Sequence, residues 1–109
     1  MKSISFVDQF GSKRYYLNDK LHREDGPAFI SYDGNKHWYQ YGDLHRLDGP
    51  AVECVNGSKH WYQNNYLHRL AGPACEYSNG EKYWFFHGKH VLCHSQEEFE
   101  EKIKLAMFW

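Results

Sequence analysis

Eight histidines and three cysteines in 109 residues are the side chains with the most obvious chemistry, because imidazoles ligate metals and carry protons while thiolates attack electrophiles. Their spacing decides what they can do. His22, His45 and His68 each stand inside the tripeptide Leu-His-Arg, which recurs every 23 residues. Equivalent residues of successive hairpins in a sheet lie two strands, or roughly 10 Å, apart, whereas zinc needs ligand atoms within about 2 Å. These three histidines therefore read as structural, each with a ring nitrogen bonded to backbone or a nearby carboxylate. The densest group, His87, His90, Cys93 and His94, matches no established zinc spacing and reads as the turn into a helix. No metal and no cofactor is expected.

Catalytic signatures are missing as well. The chain has no Gly-x-Ser-x-Gly elbow, phosphate loop or dinucleotide fingerprint. Cys93 and His94 are adjacent in sequence, an arrangement that rarely holds a nucleophile-base hydrogen bond. Glu97, Glu98, Glu100 and Glu101 fall on the first turns of an expected helix, where carboxylates complement the macrodipole. The chain is thus not expected to be an enzyme.

What positions all of these residues is the repeat. Each copy runs Leu-His-Arg, two variable residues, Gly-Pro-Ala, a strand-like run, a Gly turn, then Lys, His or Tyr, and Trp. A fixed period of this size marks small supersecondary units that cannot bury their apolar side chains alone. Asp33-Gly34, Asn56-Gly57 and Asn79-Gly80 are hairpin signals, and a two-residue type I′ loop at each sets Phe29 opposite Trp38, Val52 opposite Trp61 and Cys75 opposite Trp84. Gly11, Lys13 and Tyr15 occupy the same phase 23 places earlier, with Phe6 facing Tyr15. Residues 4–20 therefore form a half repeat, followed by full repeats at 21–43, 44–66 and 67–89. The Leu-His-Arg segment is read as the link between hairpins. Pro27, Pro50 and Pro73 stand at strand entries, and Asp25 and Asp48 close local turns.

Ser95 with Glu98 is a capping box, and Phe99, Ile103, Ala106 and Met107 recur at helical spacing. A helix over 95–107 should cap the array. The expected fold is mainly β, a single-layer antiparallel meander of about four repeated hairpins with a C-terminal capping α-helix, in one domain spanning 1–109. With no run apolar enough for a membrane span and no secretory leader, the expected location is cytoplasmic. An odd number of cysteines, with Cys54 and Cys75 two strands apart, argues for free thiols.

Net charge is −1 with His neutral, which excludes bulk attraction to polyanions. Lys13, Lys36, Lys59 and Lys82 share one repeat position and form a row, with a parallel row from Arg23, Arg46 and Arg69. Stepped cations beside aromatic rings give an alternative reading as a phospholipid or nucleic-acid scaffold.

The unit Trp-Tyr-x-x-Gly-x-x-His-Arg-x-Asp-Gly-Pro-Ala followed by Gly-x-Lys-x-Trp resembles the divergent MORN-like repeats common in bacteriophages, large DNA viruses and some bacteria. The likeness runs from about Tyr15 to Lys89, and the Ser-x-Glu-Glu-Phe helix resembles the usual ending of such proteins. Asn65 in place of Gly, Ala71 in place of Asp and Tyr83 in place of His depart from the pattern. The resemblance implies a non-catalytic elongated sheet used for interaction. For a phage protein it implies an inhibitor of a host machine in the bacterial cytoplasm, such as a CRISPR effector.

The functional expectation is a binding protein that docks on and blocks a protein partner. Residues that vary between copies are the interface candidates: Tyr41, Asn64 and His87, with Glu53 and Glu76, and the amphipathic rings of Tyr62 and Tyr66. Phe108 and Trp109 are candidates for self-association.

Overall fold

The computed structural model describes residues 2–107 and is a flat body of 47 × 31 × 17 Å. Four hairpins form at the Gly turns and stack edge to edge. Their strands are β1 (Ile4–Val7), β2 (Lys13–Leu17), β4 (Phe29–Ile30), β5 (Lys36–His37), β8 (Val52–Glu53), β9 (Lys59–His60), β12 (Cys75–Glu76) and β13 (Lys82–Phe86). They are hydrogen-bonded in that order, as an antiparallel meander. The fold is the mainly β array with one C-terminal helix that the repeat predicts.

The hairpin register differs by one residue from expectation. Ser31 N–H donates to the Asn35 carbonyl and Gly34 N–H to the Ser31 carbonyl, both at 2.9 Å. Within this loop only Gly34 has a positive φ, +99°. The connection is therefore three residues, a type I turn closed by a left-handed glycine, rather than a two-residue I′ loop. Asx residues prefer this geometry here because their side chains take backbone N–H groups two residues on: Asn56 Oδ1 accepts from Ser58 and Asn79 Oδ1 from Glu81. As a result Phe29 faces His37, Val52 faces His60, Cys75 faces Tyr83 and Phe6 faces Arg14. Trp38, Trp61, Trp84 and Tyr15 are not their partners, and a slip of one residue exchanges faces.

The true I′ turns lie where the sequence suggests a link. Asn18-Asp19, Tyr41-Gly42, Asn64-Asn65 and His87-Gly88 all have both φ values positive, as that turn requires. Each closes a second, shorter hairpin: β2 with β3 (Lys20–Leu21), β6 (Tyr39–Gln40) with β7 (Asp43–Leu44), β10 (Tyr62–Gln63) with β11 (Tyr66–Leu67), and β13 with β14 (Lys89–Val91). Asn65 replaces glycine without loss because Asn tolerates this conformation. Its Oδ1 also accepts the Leu44 N–H at 2.9 Å.

Burial is concentrated where copies meet. Ala28, Ala51 and Ala74 are fully buried, and their carbonyls accept from the N–H groups of Tyr15, Trp38 and Trp61. The helix α1 (Gln96–Met107) closes the array and buries Phe99 and Ile103. Ser95 caps it by accepting the Glu98 N–H, while the Glu98 carboxylate accepts from His94 and meets Lys102 at 3.4 Å. Trp84 Nε1 donates to Gln96 Oε1 and Gln96 Nε2 to the Leu70 carbonyl, both at 2.8 Å. Phe108 and Trp109, the self-association candidates, lie outside the described residues. Among the described residues, no helix is long and apolar enough to cross a membrane.

Candidate functional site

The repeated histidines are the joints of the array. His22 Nδ1 accepts the Tyr41 N–H, His45 Nδ1 the Asn64 N–H and His68 Nδ1 the His87 N–H, at 2.9 to 3.0 Å. An Nδ1 that accepts must be unprotonated, so each ring is the neutral Nε2–H tautomer in this bond. The Tyr41 ring packs tilted against His22 with centroids 4.3 Å apart, and the His87 ring stacks on His68 at 4.2 Å. Tyr41, Asn64 and His87 thus occupy the first position of the I′ turns along one edge. In each turn the backbone N–H of this residue is what the histidine accepts.

The arginines are equally engaged. The guanidinium carbons of Arg23, Arg46 and Arg69 lie 4.0, 3.9 and 3.7 Å from the ring centres of Tyr15, Trp38 and Trp61. Their Nη1 atoms donate to the carbonyls of Pro27, Pro50 and Pro73. Arg23 and Arg46 bond Asp25 and Asp48 through Nε, and Arg46 and Arg69 reach Glu53 and Glu76 through Nη1. Asp25 and Asp48 therefore hold arginines rather than close local turns. A Cβ at Gly49 would stand 2.8 Å from Arg46 Cζ, so this glycine is needed for space.

The lysine row exists but is interrupted. Lys36 faces Glu53, Glu53 faces Lys59, Lys59 faces Glu76 and Glu76 faces Lys82. Lys13 faces Ile30 at its start. Opposite charges thus alternate across this face. A 690 Å³ recess beside Trp38 is lined by four carboxylates, Glu24, Asp25, Asp43 and Asp48, against one cation, Arg46, a balance that disfavours an anionic occupant.

The opposite face is uncharged over most of its width. Its cross-strand row reads Arg14, Phe29, His37, Val52, His60, Cys75 and Tyr83. Tyr16, Tyr39, Tyr62 and Phe85 stand one pleat further along. The His37 and Tyr39 rings lie parallel at 6.5 Å, and Tyr77 packs edge-on against both His60 and Tyr83. Apart from the buried Val52 and Cys75 these side chains are only half-buried, and Tyr77 is exposed. Burial lowers the pKa of His37, with the His60 charge adding to it, and burial lowers that of His60. Burial likewise raises the Tyr39 and Tyr62 phenols. At neutral pH the face carries neutral rings with polar tips.

The sequence candidates therefore divide among three places. Tyr41, Asn64, Tyr66 and His87 follow the I′ edge, where Tyr66 packs under Gly88. Glu53 and Glu76 lie on the charged face, and Tyr62 on the aromatic face. His37, His60, Tyr39 and Tyr77 were not among the candidates. Their signal was the alternation at 37/39, 60/62 and 83/85, hidden by the assumed register. Cys54, Cys75 and Cys93 are free thiols. Burial pushes the Cys75 thiol up to about 11, and burial with the Glu98 carboxylate raises that of Cys93.

This arrangement defines a class: a repeat ribbon with one charged and one aromatic face. Comparison of the chain with protein-family models, curated proteins and solved structures returns no match.

Proposed function

We propose that this chain is a non-enzymatic, MORN-like repeat protein that docks on a protein partner through its aromatic face. The observation that carries the reading is the half-buried row from Phe29 to Tyr83 with Tyr39, Tyr62 and Tyr77 beside it. Rings with apolar bodies and polar tips are the side chains that anchor protein interfaces. The likeness to phage repeat proteins supports a host protein as partner and blockade as the outcome. The lysine row supports the phosphate reading less, because Glu53 and Glu76 stand between its members.

The test is a comparison of face variants. Capture of protein from bacterial lysate is measured for the wild-type chain, for Tyr39→Ser with Tyr62→Ser, and for Lys36→Glu with Lys59→Glu. The reading expects a specific protein to be lost with the tyrosine pair and kept with the lysine pair. The reverse pattern, or binding only to anionic vesicles or RNA that falls steeply with salt, overturns it.

A further inference from the structure

Each hairpin of the array begins with a strand whose outer edge is occupied by the copy before it: β4 by β2, β8 by β5, and β12 by β9. β1 holds the same position in the first hairpin, and among the described residues nothing pairs with its outer side. The consequence shows in one set of equivalent residues. Val52 and Cys75 are 8% and 3% exposed, whereas Phe6, at the same repeat position, is 61% exposed. Ile4 and Val7 are 67% and 65% exposed. Ile4–Val7 carries no Lys or Pro to discourage pairing, and an exposed apolar edge of this kind is a template for another strand.

We infer that β1 pairs with β1 of a second copy, joining two arrays into one continuous antiparallel sheet. At the far end α1 seats Gln96 on Trp84 and Leu70, and the last strand there, β14, carries the exposed Lys89 and His90. That is a charged edge that discourages pairing, so the apolar β1 finds its match in a second β1. A two-fold pairing of β1 with itself closes instead of propagating.

The register follows from the backbone. Asp8 N–H donates inward to the Ser12 carbonyl, and groups alternate in direction along a strand. The N–H and C=O groups of Phe6 and Ile4 therefore also point to β2, and those of Ser3, Ser5 and Val7 point outward. A dyad through Ser5 pairs Ser5 with Ser5 of the second copy and Ser3 with its Val7, which places every outward group against a partner. The same register sets Ile4 beside the second copy's Phe6, so apolar meets apolar, and Lys2 beside its Asp8, whose carboxylate already bonds Arg14 of its own copy. Registers shifted by one residue would pair inward-pointing with outward-pointing groups. Ile4 and Phe6 share the side of Arg14 and Tyr16, so the joined sheet has one aromatic face running through both copies. The inference does not depend on what that face binds.

An edge this short buries less than a standard interface, so the dimer is a concentration-dependent one. Light scattering on the full chain, from dilute solution to about 1 mM, should show the average mass rising toward twice that of the monomer. Ser5→Pro removes an outward N–H, a change that edge strands accept, and should weaken association at least about tenfold with an unchanged far-ultraviolet spectrum. Ser5→Cys places two thiols on the dyad, where paired Cα atoms lie about 5.5 Å apart, within disulfide range. In a background with Cys54→Ser and Cys93→Ser, which removes the half-exposed thiols, mild oxidation should link the Ser5→Cys variant into dimers that the same background with Ser5 does not form. A wild-type chain that stays monomeric throughout, a Ser5→Pro variant that associates as wild type does, or a Ser5→Cys variant that fails to crosslink overturns the proposal.

Discussion

The guanidinium of Arg46 sits over the indole of Trp38, 3.9 Å from its ring centre, and so ties the second Leu-His-Arg motif to the copy before it. Gly49 also lies against this guanidinium, so close that a Cβ there would stand 2.8 Å from its Cζ. Arg46 is 21% exposed at its side chain and bonds both Asp48 and Glu53, so stacking and ion pairing act on one rigid plane. Gly49→Ala should push the guanidinium off the ring and destabilise the chain by about 1–3 kcal/mol. Arg46→Ala should cost a similar amount, but Gly49→Ala added to Arg46→Ala should cost little, because nothing remains to be displaced. Urea denaturation of the four proteins measures the coupling; strict additivity would show that the glycine serves another purpose.

His37, His60 and His68 all have pKa values lowered from 6.5 by burial, with a neighbouring imidazole adding to the effect at His37 and His68. The unfolded chain therefore binds more protons than the folded one between the lowered values and 6.5. Stability should be complete above about pH 6.5 and fall as the pH drops from there through the folded pKa values. His37→Phe with His60→Phe should flatten that slope in thermal melts between pH 7.5 and 5. An unchanged slope would place the titration elsewhere.

Thiol reactivity should separate the three cysteines. Cys75 is 3% exposed and its thiol is pushed up to about 11 by burial, so it offers neither access nor thiolate at neutral pH. Cys54 and Cys93 are half-exposed. Ellman's reagent at pH 8 should modify Cys54 and Cys93 first, with Cys75 reacting at the rate of unfolding. A Cys75→Ser variant should remove the slow phase alone.

The features legible in the sequence were the local ones. The period, the turn at each Asx-Gly pair, the free thiols and the helix after Ser95 all rest on residues within a few positions of one another. The register was not legible because Asp33-Gly34 suits both a two-residue I′ loop and a type I turn with a left-handed glycine. Neighbouring copies decide between them. The longer loop presents the Tyr32, Val55 and Ser78 N–H groups to Ser12 Oγ, Asn35 Oδ1 and Ser58 Oγ of the preceding copy, at 2.8 to 3.0 Å. That ladder spans 20 residues and leaves no local trace. The misplaced faces followed from it, since Trp38 and His37 exchange sides with one step of register. Variation marks Tyr41, Asn64 and His87 as interface candidates, but that their backbone N–H groups donate to a histidine 19 residues earlier is legible only in the structure. The arginine clamp was half legible: Arg, Asp, Gly and Pro recur together, and only the stacked geometry shows that they serve one contact.

Because the hydroxyl or amide after each turn glycine receives a hydrogen from the next copy, while each repeated imidazole receives one from the I′ turn of its own copy, every seam of the ribbon is drawn to the same pattern. A gene can therefore lengthen or shorten this protein by whole modules of 23 codons and rebuild each seam intact, while any other increment leaves donors facing donors. Length is the dimension in which such a chain is free to evolve, and the area it presents to a partner grows with it.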